Sequence, residues 1–368
     1  MNFMIAKTIL YESLSHFQSV VEKRNTIPIL SNIKLKTGDG KIEVTATDLA
    51  IEMSERIDAK VISPGELTLP SQLLFDIIRK IPENSEIEIK EHTETGRVFI
   101  LFGDSKFSLP FLPSSDFPEM ESENFENNFV ITADKFKYLL DGSKFSMGVD
   151  ESRQYLNGVF LSYNNDMITT VATDGHRLSK CQVLVQESPK VYDGIIIPKK
   201  TVYEISKIIE ETNKDIEIGF TKTKIKFSLD QITLTSKLVN ANFPDYESVI
   251  PKNNNLVMIT DCKSFAETID RVSTISNEKF RTVKLEIDDN KCVVSSFGEE
   301  KSAGTEQISV DYSGPKININ FNAKYILDVL AIIKTGNVSI SFSSETAPTI
   351  LKSSNNDNSL YLIMQMRA

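Results

Sequence analysis

A chain of 368 residues with 40% hydrophobic and 25% charged side chains has the length of two or three globular domains, which excludes a disordered or fibrous protein. The formal net charge of −10 argues against a surface coated with phosphate-binding cations, and no apolar run approaches the roughly 18 residues of a membrane span. The opening MNFMIAKTILYESL lacks a basic flank, apolar block and small-residue cleavage site, so a cytoplasmic protein is expected.

In chain order, an amphipathic pattern over residues 5–21 predicts a helix, and KLKTGDGKIEVTATD predicts a hairpin with Gly38-Asp39-Gly40 at its turn. LPSQLLFDIIRKIP predicts a second helix, and further short strands follow. The same order then recurs. A helix over 131–147, with Phe136, Leu139, Leu140 and Phe145 near helical spacing, precedes the hairpin FLSYNNDMITTVATD and the helix IPKKTVYEISKIIE. A third pass gives a helix over 260–276, the hairpin VKLEIDDNKCVVSSF and the helix FNAKYILDVLAIIK. Thr132 and Thr260 stand where N-caps would start the two later leading helices. All three hairpins use Gly, Asn or Asp at the turn, residues that tolerate positive φ.

The recurrence has a measurable interval. Thr47-Asp48 returns as Thr173-Asp174, and Phe117-Pro118 as Phe243-Pro244, each 126 residues later. A unit of this length buries its own core, unlike the units of short-period solenoids. The expected fold class is therefore α+β, three similar domains, each with two helices and antiparallel sheet, over residues 1–126, 127–254 and 255–368. The polar stretches 121–128 and 252–255 read as linkers. Five of the six helical segments carry a net charge of +1 and the sixth −1, so the strands and loops hold the acid. That split suits a mildly basic helical face; lysine on surface helices for propensity alone is the alternative.

Two features invite chemistry. Asp174-Gly175-His176-Arg177 resembles an acid–base cluster, which leaves open an enzyme, for example a nucleotide hydrolase; no nucleophile, phosphate loop or metal-ligand pattern accompanies it, so no cofactor and no metal are expected. Cys181, Cys262 and Cys292 form no C-x-x-C pair, which points to buried thiols, with a reactive thiol as the alternative.

The runs VATDGHRLSKC, SKLVNANFPDYESVIPK, SNEKFRTVKL and YLIMQMRA, with matches from MNFMI through LPSQLLFDIIRKIP to the last residue, resemble the bacterial DNA polymerase III beta subunit family, the replicative sliding clamps. The resemblance covers the whole chain. It implies three DNA-clamp domains in a subunit that pairs head to tail as a homodimer, a six-domain ring around double-stranded DNA with no sequence preference and no membrane. The implied partners are the replicative DNA polymerase alpha subunit, the clamp loader and other repair and replication proteins with clamp-binding motifs.

The resemblance also assigns residues. Leu156, Thr173, Gly175, His176, Arg177, Leu178, Pro244, Val249, Tyr325, Leu362, Met364, Met366 and Arg367 occupy the family's partner-peptide pocket. An apolar cleft with a few polar groups suits short extended peptides, and flexible methionines suit varied ones. Alternation on a terminal strand would equally place Met364 and Met366 in a core. Two departures stand out: Gln365 replaces a proline, which would loosen the tail, and Ser248 replaces an arginine, which removes a donor from the rim. Lys23, Arg24, Tyr155, Lys199 and Lys200 match DNA-facing positions, with solvated surface residues as the alternative for any one of them. Ring closure would use Lys106, Phe107, Leu109, Thr274, Ile275, Glu299 and Glu300.

Overall fold

The structure is a computed structural model that describes all residues except 22–26, 93, 122, 126, 186–191, 211, 277–280, 300–301 and 367–368. The first repeat runs β1 (Asn2–Ala6), α1 (Lys7–Phe17), β2 (Asn32–Gly38), β3 (Lys41–Thr47), β4 (Ile51–Asp58), β5 (Lys60–Ser63), β6 (Gly65–Pro70), α2 (Ser71–Lys80), β7 (Glu86–His92), β8 (Arg97–Phe102) and β9 (Ser105–Pro110). The second runs β10 (Asn127–Thr132), α3 (Ala133–Lys144), β11 (Gly158–Asn164), β12 (Met167–Thr173), β13 (Arg177–Leu184), β14 (Tyr192–Pro198), α4 (Lys199–Glu210), β15 (Asp215–Phe220), β16 (Lys224–Leu229) and β17 (Ile232–Lys237). The third runs β18 (Leu256–Asp261), α5 (Cys262–Ser273), β19 (Thr282–Asp288), β20 (Lys291–Phe297), β21 (Ala303–Ser309), β22 (Asp311–Tyr312), β23 (Ile317–Asn322), α6 (Ala323–Ile333), β24 (Asn337–Phe342), β25 (Thr349–Ser353) and β26 (Asn356–Ile363).

The three leading helices begin later than their periodicity suggested, because a strand precedes each. Phe3 and Ile5, Phe129 and Ile131, and Met258 and Thr260 are buried at every second residue, the period of a strand with one face on a core. Thr260 therefore lies inside β18, one residue before the cap, whereas Thr132 ends β10 at the position directly before α3. The cap of α5 is Asp261, whose carboxylate accepts the Ser264 N–H at 2.8 Å. Asn127 and Asn128, expected in a linker, open β10. The three hairpins close through two-residue turns, with Gly38 opposite Lys41, Asn164 opposite Met167 and Asp288 opposite Lys291. Asp39, Asn165, Asp166, Asp289, Asn290 and Gly40 all take positive φ, which matches the right-handed twist of the flanking strands.

Two compact units form, and the second repeat is shared between them. The unit of Met1–Ala133 and Tyr203–Leu238 holds an eight-stranded sheet, β10-β15-β16-β17-β4-β3-β2-β6, and a five-stranded one, β5-β1-β7-β8-β9. The unit of Asp134–Gln186, Lys190–Val202 and Val239–Ala368 holds a nine-stranded sheet, β14-β11-β12-β13-β26-β25-β24-β18-β22, and a four-stranded one, β21-β20-β19-β23. Each long sheet thus joins two successive repeats by an antiparallel strand pair. The joints are β17–β4, with Leu234 opposite Met53, and β13–β26, with Ser179 opposite Tyr361. In each joint, the third strand of one repeat's hairpin meander pairs with the last strand of the next repeat's terminal meander.

Helices cover these sheets. In the first unit α1 packs on α2 through stacked Tyr11 and Phe75, 5.5 Å apart, and the core takes Leu10, Leu14 and Phe17 from one face of α1. In the second, α5 buries Phe265, Ile269 and Val272 and packs on α6. No helix among the described residues is long and apolar enough to cross a membrane.

Candidate binding cleft

The repeated Thr-Asp landmark is a turn built twice from the same hydrogen bonds. Between β3 and β4 the Asp48 carboxylate accepts the Ala50 and Ile51 N–H groups at 2.8 and 2.7 Å, while the Thr47 hydroxyl donates to the Ile51 carbonyl at 2.8 Å. Between β12 and β13 Asp174 accepts from His176 and Arg177 at 2.8 and 3.0 Å, and Thr173 donates to the Arg177 carbonyl at 2.6 Å. A threonine and an aspartate at these positions satisfy the backbone of a sharp reversal, which is why the pair recurs. The third turn residue has positive φ in both, 74° at Leu49 and 91° at Gly175. Glycine adopts it without strain, and a Cβ at Gly175 would stand 3.1 Å from the Arg153 guanidinium.

Arg177 turns the second copy into a wall. The residue is 8% exposed, and its guanidinium donates to Asp174 at 3.0 Å, to Asp328 of α6 at 2.5 Å and to the Phe145 carbonyl at 2.5 Å. It also lies 4.5 Å from the ring of Tyr325 and 5.4 Å from that of Phe145. Both carboxylates are spent on this one cation, so Arg177 acts as a fixed strut. Beside it Val171, Leu178 and Leu362 form an apolar cluster covered by Phe160, Phe243 and Tyr246. Phe160 stacks on Phe243 at 4.8 Å, and Gly194, with φ of 120°, leaves room for it: a Cβ there would fall 2.1 Å from the Phe160 ring.

These residues enclose a cleft of about 320 Å³. Of the expected pocket residues, Leu156, Thr173, Gly175, Arg177, Leu178, Pro244, Val249, Leu362 and Met364 line it. Val249 and Met364 are 52% and 39% exposed, unfilled apolar surface of the kind a ligand covers. His176 is at the margin through its backbone, whose carbonyl accepts the Met364 N–H at 2.8 Å. Tyr325 stands behind Arg177. Met366 leaves the cleft for the four-stranded sheet: its N–H bonds the Asn320 carbonyl at 2.8 Å and its sulfur lies 3.7 Å from the Thr282 hydroxyl. Arg367 lies outside the described residues. Gln365 fastens the tail it was expected to loosen, donating through Nε2 to the Ser344 carbonyl at 3.1 Å and to the Thr349 hydroxyl at 3.0 Å. The Ser248 hydroxyl is turned back onto the Asp245 carbonyl at 2.8 Å.

Sequence reasoning missed several members. Asp245 and Tyr246 line the cleft, and so does Tyr155, which was expected at DNA. Phe160 had no signal beyond strand alternation, whereas Phe243 belonged to the repeated Phe-Pro landmark. Phe145 and Asp328 are brought to Arg177 from distant segments by the fold alone.

Of the remaining expected DNA contacts, Lys199 and Lys200 form the first turn of α4, and Lys23 and Arg24 lie outside the described residues. At the expected subunit contact, Phe107 is 41% exposed and stacks on Phe102, and the Lys106 ammonium sits 3.8 Å over the Phe99 ring. Leu109 is buried in its own unit at 1% exposure and offers no outward surface. Thr274 is exposed, whereas Ile275 packs against Gly298 and Gly304, where a Cβ would meet its carbonyl oxygen at 2.2 Å and its Cδ1 at 2.8 Å. Glu299 is exposed and Glu300 lies outside the described residues; Phe297, unforeseen, is 70% exposed. All three cysteines are buried, and burial pushes the Cys181 and Cys292 thiols up to about 12, which removes the reactive-thiol alternative for both.

Sequence models of the DNA polymerase III beta subunit match the chain three times: the N-terminal domain over residues 1–121, the central domain over 130–245 and the C-terminal domain over 247–367. Among curated relatives, the beta sliding clamps of Caulobacter vibrioides and Pseudomonas aeruginosa are 34% and 33% identical over the whole of both chains. Among solved structures, a DnaN sliding clamp from Bartonella birtlesii bound to griselimycin superposes over all of both chains with a TM-score of 0.96 at 35% identity. The DNA polymerase III subunit beta of Pseudomonas aeruginosa does so at 0.95 and 32%.

Proposed function

Because the chain belongs to the DNA polymerase III beta subunit family, the sliding clamps, which are replication processivity factors and not enzymes, we propose that it works as half of a ring that encircles duplex DNA and tethers peptides in the cleft beside Arg177. The observation that carries the ring is the pair of sheet edges left open. Two joints between repeats are made within the chain, β17–β4 and β13–β26. The equivalent strands of the first and third repeats, β9 and β21, are both edge strands. A second copy supplies each with its missing partner, head to tail, and the two resulting joints close the ring. The exposed Phe107 and Phe297 supply apolar surface for these joints, and any exposed ion pair involving Lys106 or Glu299 adds about 0–1 kcal/mol.

In this reading the modules run over 1–126, 127–254 and 255–368, and the protein is cytoplasmic. Lys199 and Lys200, with Lys23 and Arg24, contact phosphates without reading sequence, and loose contact suffices because topology does the holding. The cleft takes short peptides with apolar anchors from the polymerase alpha subunit, the clamp loader and repair proteins.

The test loads the protein onto nicked circular DNA with its clamp loader. Retention in high salt and release on cutting the circle are expected; salt-sensitive loss from the closed circle, unaffected by cutting, would sink the ring. Phe107→Asp is expected to lower the solution mass from dimer to monomer, and an unchanged mass would remove the β9 edge from the contact.

A further inference from the structure

The cations around the cleft are already matched by acids. Arg177 sits between Asp174 and Asp328, the Arg153 guanidinium is 3.0 Å from the Asp150 carboxylate, and the Lys180 ammonium is 3.6 Å from Glu247. Asp245 is a further carboxylate, exposed and lining the cleft, and no described cation is paired with it. Three cations thus face five acids among the described residues. The Ser248 hydroxyl beside Asp245 is spent on the Asp245 carbonyl.

We infer that this cleft selects peptides carrying a lysine or arginine beside their apolar anchors over peptides carrying an acidic residue there. The inference rests on the peptide-cleft reading and adds the charge of the ligand to it. Two neighbouring tyrosines are shifted in the same direction. The Tyr246 hydroxyl is held above the usual range by burial and then by Glu247 and Asp245; Tyr325 is raised by burial and then by Asp174. A cationic side chain reaching the Asp245–Glu247 rim meets two exposed carboxylates that share one ammonium, that of Lys180, and an acidic one meets net repulsion.

The experiment measures fluorescence anisotropy of the full-length protein, so that Arg367 is present in every arm, at pH 8, where imidazoles are uncharged. Three labelled peptides share one glutamine-and-apolar core and differ in a single flanking lysine, glutamate or glutamine. The lysine peptide is expected to bind about three- to tenfold tighter than the glutamate peptide in low salt. That ratio should shrink in 0.5 M salt, roughly where the screening length falls below 5 Å, and fall towards one in Asp245→Asn/Glu247→Gln. Equal binding of the charged peptides, tighter binding of the glutamate peptide, or a ratio unchanged in the double variant would overturn the inference while leaving the cleft intact as a peptide site. Failure of all three peptides to bind would overturn the cleft reading itself, and this inference with it.

Discussion

Asp328 does not line the cleft, yet the structure makes it a support for the cleft wall, so Asp328→Ala tests that support without touching the ligand. The substitution removes a charge-assisted hydrogen bond of 2.5 Å to the guanidinium of a residue that is 8% exposed. Hydrogen bonds to charged groups contribute about 1.5–3 kcal/mol. The Asp328 side chain is 29% exposed, so water replaces part of the bond, and Asp174 stays in place; the low half of the range, about 1.5–2 kcal/mol, is expected. Thermal unfolding should fall by about 3–8 °C. Peptide affinity should weaken about three- to tenfold, as the Arg177 side chain gains freedom and its fixed face is lost. Asp328→Asn, which keeps an acceptor, should recover part of both. A double-mutant cycle with Arg177→Met isolates the pair, and a coupling of at least about 1 kcal/mol is expected. Stability within about 0.5 kcal/mol of the parent together with additive effects in the cycle would refute the strut.

Gly194→Ala should cost at least about 3 kcal/mol, since it forces a Cβ to within 2.1 Å of Phe160 at a φ of 120°; a thermal shift within error of the parent would contradict the packing described. Gln365→Ala deletes two hydrogen bonds worth about 0.5–1.5 kcal/mol each, and hydrogen exchange should accelerate at Met364 and Met366, with weaker peptide binding but little change in global unfolding. Cys181 and Cys292 should resist alkylation in the native protein. Because both folded values, about 12, lie above the ordinary 9.0, the folded state keeps protons that the unfolded state releases: stability is full below pH 9 and falls by about 1.4 kcal/mol per thiol per pH unit above it, which alkaline denaturation of the double serine variant measures.

What was legible in the sequence was what repeats or alternates. Six helices, three hairpins and the recurring turn follow from local period and turn chemistry, which act within a few residues. The helix starts were misplaced because β1, β10 and β18 are only five or six residues long, too short to break a helical pattern by eye. The division of the second repeat between two units, and the joints that cause it, depend on pairings such as Leu234 with Met53 that no local pattern encodes. The cleft was legible where a family resemblance covered it and illegible where it depended on long-range partners. Asp328 looks like any surface acid on a helix until the fold brings Arg177 to it.

The two internal joints share one scaffold and differ in what covers it, and a single position accounts for much of the difference. Counting 126 residues from Glu52 of the first joint leads to Leu178 of the second. Glu52 is partly desolvated, which raises its pKa, and its carboxylate accepts the Met120 N–H at 2.8 Å. That bond draws the chain after Phe117-Pro118 across the sheet, where Glu119 pairs with Lys34, the Glu121 carbonyl accepts from Lys224 at 2.8 Å, and Glu123 pairs with Lys224 at 2.9 Å. Leu178 offers no acceptor. It joins Val171 and Leu362 instead, and after Phe243-Pro244 the chain packs Tyr246 against the Phe160–Phe243 stack, with the 320 Å³ cleft left beside it. A half-buried carboxylate must find donors, and the nearest are on its own chain; a leucine has no such demand, so its surface stays available to another. The repeat therefore supplies the joint, and the side chain at this position decides whether the joint is strapped by its own chain or keeps an apolar face for a partner.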